Sequence, residues 1–496
     1  MTLLAVHPDP PGFLTTRRGT LTLALLCAVA FLDFVDASIV NVTLPDMRRD
    51  LGVSVQDLQW VPSGYLLTYG GFMLFGGRMA DLLGRRRVLT AGTMLVGLAS
   101  LVGGFAGSPG ALIGARLAQG LGAALMLPAA LSLLTTSFAE GPERNKALGA
   151  WGGMAALASA AGVLFGGLLT DGPGWRWVMF VNPIACVLVL TAIPRVLPSD
   201  SRRLASRGFD LFGTTLATGG TLLLVFALVK APEQGWGSAR TILELAGAGA
   251  LLAAFVLNER LVANPLLPLS IFRVRGLAAA DLTLLIAAAA MGAVFYFLTL
   301  YMQGVLGYSP IQAGSAYLPL CAGVGVAAGV TSGLMTRVGT RPLIVSGAVI
   351  AAAGVWMLSG VPVGGSYVGD LLPGLLVAAI GLGILFVSVT TAANAGVPAE
   401  QAGLAAALLN SSQQVGGALG LAIFSAIATA QTDHLLAVGH PAADALTSGF
   451  SHALFASAVF LFGAALLALR TRNAHGAQVA SAPAELALAG AINRSE

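Results

Sequence analysis

Charge is what this chain has least of. Only 10% of its 496 residues are Asp, Glu, Lys or Arg, while 56% are hydrophobic. A soluble protein of that length cannot cover its surface with so few charges, so its main solvent is lipid. A formal charge of +4 says little about partners, and no nucleic acid is expected among them. Cysteine is almost missing: Cys27, Cys186 and Cys321 all fall in apolar runs, which indicates neither a disulfide framework nor a metal site. Lysine is rarer still, at 2 against 24 arginines, a weak pointer to a GC-rich bacterial genome. The five histidines, His7, His434, His440, His452 and His475, stand beside no carboxylate or cysteine constellation, so a membrane-embedded enzyme is disfavoured. No G-x-x-x-x-G-K-[ST] occurs, which argues against an ATP-driven pump on this chain, and no cofactor is expected.

What is present is apolar length. Runs of about 20 residues, enough to cross a core of roughly 30 Å, recur from end to end. They fall near 20–42, 58–78, 87–106, 111–134, 147–169, 177–197, 211–230, 240–258, 277–300, 312–334, 342–360, 371–393, 403–428 and 450–469. Arg17 and Arg18 followed by LTLALLCAVA resemble a signal peptide, yet the run continues to spanning length and reads as the first span. With a cytoplasmic N-terminus, inner loops and tails hold 20 of the 26 Lys and Arg, and outer loops hold 5. That positive-inside bias places both termini in the cytoplasm of a bacterial inner membrane.

The chain also repeats itself. L51-G-V-S54 before the second span is echoed by L306-G-Y-S309 before the tenth, and the glycine-rich loop after Gly77 by one after Gly333. Offsets of 255 and 256 residues pair spans 1–6 with spans 9–14 and leave 7 and 8 as an insertion. The expected fold is an all-α membrane protein of fourteen transmembrane helices. Its divisions are an N-terminal tail (1–19), a six-helix bundle (20–200), inserted helices 7 and 8 (201–262), a second six-helix bundle (263–470) and a disordered cytoplasmic tail (471–496).

Against this apolar background, FLDFVDASIVNVTLP at 31–45 carries Asp33 and Asp36. Two acids at a helix centre cost up to roughly 5–7 kcal/mol of insertion energy, while the span's Leu, Ile, Phe and Val return about 4–7. They must therefore face water or a partner inside the bundle. Spacing i, i+3 puts them on one face, and counting from the inner end places them in the outer half of the bilayer. Such a pair titrates as a unit. A proton held there can be displaced by an incoming organic cation. Asp33 is read as a second cation-binding carboxylate, as the partner of Arg116, or as a tolerated cavity-lining acid.

Other polar groups have two readings each. Arg116 cannot be deprotonated and must meet an acid, carbonyls or water, or else a neighbouring helix end. Gln413 and Gln414 either line the cavity opposite Asp36 or bond helices together. Tyr65 and Tyr69, one turn apart, stack on a flat substrate or sit at an interface. Glu244 can pair with Arg240, and Asp281 sits near Arg275 at the cytoplasmic interface.

Several stretches carry a family resemblance. G77-R-M-A-D81-L-L-G84-R85-R86-R87 resembles the cytoplasmic-loop signature of the major facilitator superfamily, with its Asp charge-paired across the seam between halves; the plain alternative is a solvated basic loop. R116-L-A-Q119-G120 resembles the family's fourth-helix element, which lines the cavity and is associated with proton coupling. The fifth span, with Gly162, Gly166 and Gly167, resembles the antiporter signature, except that Val163 stands where proline is usual. D36-A-S-I-V-N-V-T-L-P45, W175-R-W-V-M-F-V-N-P183 and N410-S-S-Q-Q414-V-G-G resemble elements of the fourteen-helix drug:proton antiporter branch.

The resemblance implies two major facilitator bundles and a monomeric, proton-coupled exporter of hydrophobic, cationic drug-like compounds that works by alternating access. The acids, Arg116 and Gln119 would bind proton and substrate. Export of an endogenous antibiotic-like metabolite or a lipid is the alternative, and a nutrient symporter is less favoured.

Overall fold

The structure is a computed structural model, which describes residues 13–138, 142–200, 210–262, 265–274, 276–395, 397 and 402–474. The Asp81 side chain, Arg202, Arg203, Arg207, Arg275 and most of both tails lie outside the described residues.

Long helices run up and down the molecule. The first eight are α1 (Arg17–Leu51), α2 (Trp60–Leu83), α3 (Arg85–Gly104), α4 (Pro109–Ser137), α5 (Pro142–Asp171), α6 (Arg176–Val196), α7 (Leu211–Gln234) and α8 (Ala239–Leu261). The remaining six are α9 (Leu277–Gly304), α10 (Pro310–Val338), α11 (Thr340–Leu358), α12 (Tyr367–Asn394), α13 (Ala402–Ala437) and α14 (Ala442–Ala468). Thirteen are long and apolar enough to cross a membrane. The other, α2, is 24 residues long, and its Gly and Tyr residues dilute its hydropathy because they face neighbouring helices. All the expected spans are present in order, though α1 continues through Pro45 to Leu51. Pro319 breaks α10 at Tyr317 into two segments, because it lacks the N–H a continuous helix would use.

The end carrying the first and last described residues is called the termini side, and the other the far side. In the first six helices, α3 packs on α4 and α6, α2 on α4, and α1 on α5. In the last six, α11 packs on α12 and α14, α10 on α12, and α9 on α13. The second scheme is the first with every helix number raised by eight. Close approach follows the same rule. A Cβ on Gly92 would lie 2.7 Å from the Met126 backbone nitrogen, and one on Gly347 would lie 2.8 Å from that of Leu385.

The sequence echo also acquires a physical meaning. Gly52 and Gly307 take left-handed backbone (φ 64° and 71°), and Ser54 and Ser309 then cap the next helical turn. In each half a left-handed glycine turns the chain after a helix, as the C-cap itself at Gly52 and three residues past the helix end at Gly307, and a serine two residues later starts the next.

The two sets meet along α2–α13 and α5–α10, a pair of seams related by the same shift. At mid-height, Gly70 of α2 lies against Gln414 and Val415 of α13. On the far side, Gln303 Nε2 donates to Val42 O (2.7 Å), and Asp171 accepts from Ser309 Oγ (2.9 Å) and Ile311 N (3.4 Å). Helices α7 and α8 pack on each other. Helix α7 reaches across to α2 and α13, and its Thr218 Oγ1 donates to Gly71 O (2.9 Å).

Candidate functional site

The acid pair lies at the middle of α1, positions 17 and 20 of its 35 residues. Counting from the basic residues at 17 and 18 put it in the outer half, but the helix runs on for two turns beyond the apolar stretch. Both side chains are 2% exposed and face the interior of the bundle. Their surroundings differ in kind.

Asp36 meets a cation. Its Oδ2 accepts from Arg116 Nη1 of α4 at 2.7 Å, and its Oδ1 accepts from Gln119 Nε2 (3.3 Å) and from Asn182 Nδ2 of α6. Arg116 also donates through Nε to Val61 O (3.1 Å), and its guanidinium lies over the Tyr65 ring, 4.4 Å from the centroid. Ser100 of α3 accepts from both Gln119 and Asn182. Arg116 is 1% exposed, so this ion pair is held out of water by five helices of the first set.

Asp33 meets only neutral groups. Tyr65 OH donates to its Oδ1 (2.9 Å) and Tyr69 OH to its Oδ2 (3.0 Å). Gln414 of α13 lies beside the Tyr69 hydroxyl, so this branch of the cluster reaches the seam with the second set. Gly120 lets α4 approach α2 here, since a Cβ on it would strike the Tyr65 carbonyl.

The structure therefore brings together Asp33, Asp36, Arg116, Gln119, Tyr65, Tyr69 and Gln414. Three expectations change. Asp36, not Asp33, is the partner of Arg116. The tyrosines act through their hydroxyls, with the Tyr65 face covered by the guanidinium instead of open to a flat substrate. The acids do not front an open chamber in this conformation, because protein donors occupy all four carboxylate oxygens. Gln413 is half-buried and makes no hydrogen bond to the cluster. Sequence reasoning passed over Asn182 and Ser100. Asn182 stood inside the quoted W175–P183 stretch, whereas a lone serine gives no signal.

The other predicted groups lie elsewhere. Gly84 takes φ 103°, and Asp200 caps the next helix by accepting from Arg86 N (3.1 Å) and Arg87 N (3.0 Å). Arg86 Nη1 also donates to Leu197 O (3.1 Å), which ties the loop to the end of α6. Arg341 repeats this in the second set, donating through Nε to Thr471 O (2.9 Å). Gly77 is loosely packed, with Pro128 Cβ 3.8 Å from where its Cβ would be, and Arg85 belongs to the same loop. On α5, Gly162 and Gly166 lie against Ser38 and Ile39 of α1, and Gly167 against Ile311 of α10. Val163 keeps α5 continuous, and its carbonyl abuts Gly314. Arg240 and Glu244 form the expected i, i+4 pair at 2.9 Å. Asp281 is buried, and neither oxygen has a hydrogen-bond partner among the described residues.

Comparison with known proteins extends these observations. The chain is 39% identical over 467 residues to the puromycin resistance protein of Streptomyces alboniger, covering 93% of this chain and 90% of that protein. It is 40% identical over 455 residues to the cephamycin export protein of Amycolatopsis lactamdurans, covering 91% and 92%. It is 33% identical over 427 residues to the tetracenomycin C resistance and export protein of Streptomyces glaucescens, covering 85% and 79%.

Among solved structures, a bacterial homolog of the human lysosomal transporter Spinster, inward-facing and occupied, matches with a TM-score of 0.66. That match covers 92% of this chain and 97% of that one at 17% identity, a likeness of fold alone. The family model described as Major Facilitator Superfamily matches residues 26–421, in agreement with the duplicated helix scheme, and the chain belongs to that superfamily.

Proposed function

We propose that this chain is a proton-coupled exporter of hydrophobic, cationic drug-like compounds. It would act as a monomer in a bacterial inner membrane, with both termini in the cytoplasm. One observation carries the reading: the buried cluster holds two carboxylates and one guanidinium. An uncompensated charge in such a place costs several kcal/mol, so the cluster takes up one more positive charge. A proton supplies it, and so does a cationic cargo. The two exclude each other, and that exclusion is the coupling.

Asp33 is the site of exchange, because hydroxyl partners can turn aside more readily than a bound guanidinium. Asp36 and Arg116 form the fixed counterpart, held by Gln119 and Asn182. Loading at Asp33 is felt across the seam through Tyr69 and Gln414. With the termini inside, the far-side bonds close the external face, so the conformation is inward-facing. The two six-helix sets rock about α2–α13 and α5–α10 to reverse access. The resistance and export names of the relatives support a drug-like cargo. Those named for a single antibiotic favour a second reading, export of one endogenous antibiotic-like metabolite.

Ethidium efflux from a pump-deficient host tests the first reading. Wild type is expected to pump until a protonophore is added, and Asp33→Asn to lose protonophore-sensitive efflux while still reaching the membrane. Efflux indifferent to both perturbations would remove the proton-driven reading.

A further inference from the structure

Among the described residues of the second six-helix set, Asp370, Asp433 and Asp444 sit at far-side helix ends, and Asp281 alone places a carboxyl elsewhere. Asp281 is the fifth residue of α9 and is 6% exposed. Neither of its oxygens has a hydrogen-bond partner among the described residues. Unlike Asp33 and Asp36, the whole group is unmet. It lies past the first four residues of its helix, where free N–H groups could have satisfied it.

No charge offsets it either. Helix α9 packs against α1, α10, α12, α13 and α14, and the turn Leu269–Arg273 precedes it. On the termini side these elements and their ends bring Arg17, Arg18, Arg273, Arg337, Arg470 and Arg472, all of them exposed. None is ion-paired with Asp281 or acts on its charge among the described residues; burial alone does. His434 and His452 lie in the far half with the three other acids, and Asp33 and Asp36 lie at mid-height. A carboxylate buried with neither partner nor counter-ion is so costly that the group takes up a proton instead. A proton needs no free volume, so close packing around the oxygens suits this ligand and excludes larger ones.

Asp281 is also remote from the central acids. Helices α9 and α13 run side by side in one direction. A Cβ on Gly416 would lie 2.2 Å from Leu285 O, and one on Gly420 would lie 2.4 Å from Ala289 Cα. These contacts begin one turn beyond Asp281 and close the way up along α13. The Gln303–Val42 bond sets α9 level with α1, with 22 residues from Gln303 back to Asp281 and nine from Val42 back to Asp33. Asp281 is therefore about 20 Å nearer the termini side than Asp33, too far for direct proton transfer.

We propose that Asp281 is a second proton-binding site, separate from the central acids and holding its proton in this conformation. The bound proton keeps the α9–α13 contact neutral, and α13 is the helix that meets α2 across the seam. Withdrawing the proton thus loosens a helix on which the two sets pivot. The site goes beyond the export reading and does not depend on it.

Infrared spectroscopy of the full chain in lipid nanodiscs tests this, because protonated and ionised carboxyls absorb apart. The background is Asp33→Asn, which removes the central exchange site. At neutral pH that chain is expected to show a protonated-carboxyl band that drops when Asp281→Asn is added. The second readout is the thermal midpoint against pH. The folded chain holds a proton here that the unfolded chain releases, so stability falls as pH rises, by about tenfold in the folding equilibrium per pH unit. Between neutral and alkaline buffer, the wild-type midpoint is expected to fall further than that of Asp281→Asn, which is neutral throughout.

An unchanged band, or equal falls in the midpoint, would overturn the site. Should the double variant fail to accumulate, Asp281→Glu is read in the same background. Its band is expected to move, and one that stays in place overturns the site equally. If ethidium efflux proves indifferent to Asp33→Asn while the Asp281 band is present, the export reading fails and the second proton site stands.

Discussion

Asp33 and Asp36 lie one turn apart, yet one has a guanidinium and the other two hydroxyls. Removing one member of a buried ion pair strands the other, at a cost of about 3–5 kcal/mol, whereas removing both is far milder. Arg116→Gln is therefore expected to lower the thermal midpoint sharply, and Arg116→Gln with Asp36→Asn to recover most of it, read by scanning fluorimetry in detergent. Transport is expected to stay low in both, because the fixed counterpart of the exchange site is gone.

The acids were visible in the sequence because hydrocarbon makes an Asp conspicuous. Most of their partners were named as well, but which acid each would meet was not legible. Spacing i, i+3 says that both face one way, but which of them meets α4 depends on how α1 is rotated against it, and only packing decides that. Asn182 and Ser100 are uncharged and cost little to bury, so they leave no comparable mark.

At the scale of helices, close contact is carried by glycines that have no room for a methyl group. Gly92→Leu on α3 and its counterpart Gly347→Leu on α11 are each expected to abolish folded protein, since backbone of the neighbouring helix lies under 3 Å from the added Cβ. Gly149→Leu on α5, with nothing within 4 Å, is expected to be tolerated. Membrane-fraction yield and size-exclusion profile separate these outcomes.

The sequence alone could not sort these glycines, because 64 of them look alike. The L-G-x-S echo was different. Its spacing encodes a helix end and a helix start, so it remained recognisable after the halves had otherwise diverged. The break in α10 was missed because Pro319 lies inside an unbroken apolar run.

At the scale of the whole molecule, few side-chain hydrogen bonds join the two six-helix sets on the far side among the described residues, and in the proposed inward-facing state these are the seal. Gln303 bonds Val42 O, and Asp171 bonds the start of α10. Asp171→Asn combined with Gln303→Leu is expected to shift the population towards an open far side. Thiol labelling of a Tyr308→Cys variant reads this, since Cys27, Cys186 and Cys321 are all buried. Labelling no faster than in the single Tyr308→Cys background would show that the seal lies elsewhere.

Charge bias and the repeat made the number and order of helices legible. The contact of α7 with both α2 and α13 was not legible, because an inserted pair has no counterpart from which to read its place.

The thinness of that seal has an energetic corollary. A neutral hydrogen bond is worth about 1 kcal/mol and a charge-assisted one about 1.5–3, so the closure amounts to a few kcal/mol. An elementary charge falling through 100 mV gains ~2.3 kcal/mol. The two quantities are commensurate. Under the proposed proton-coupled export, a change of access that carries one charge across the membrane would therefore be biased by the voltage, and de-energised cells are expected to hold the two access states in different proportions from growing ones.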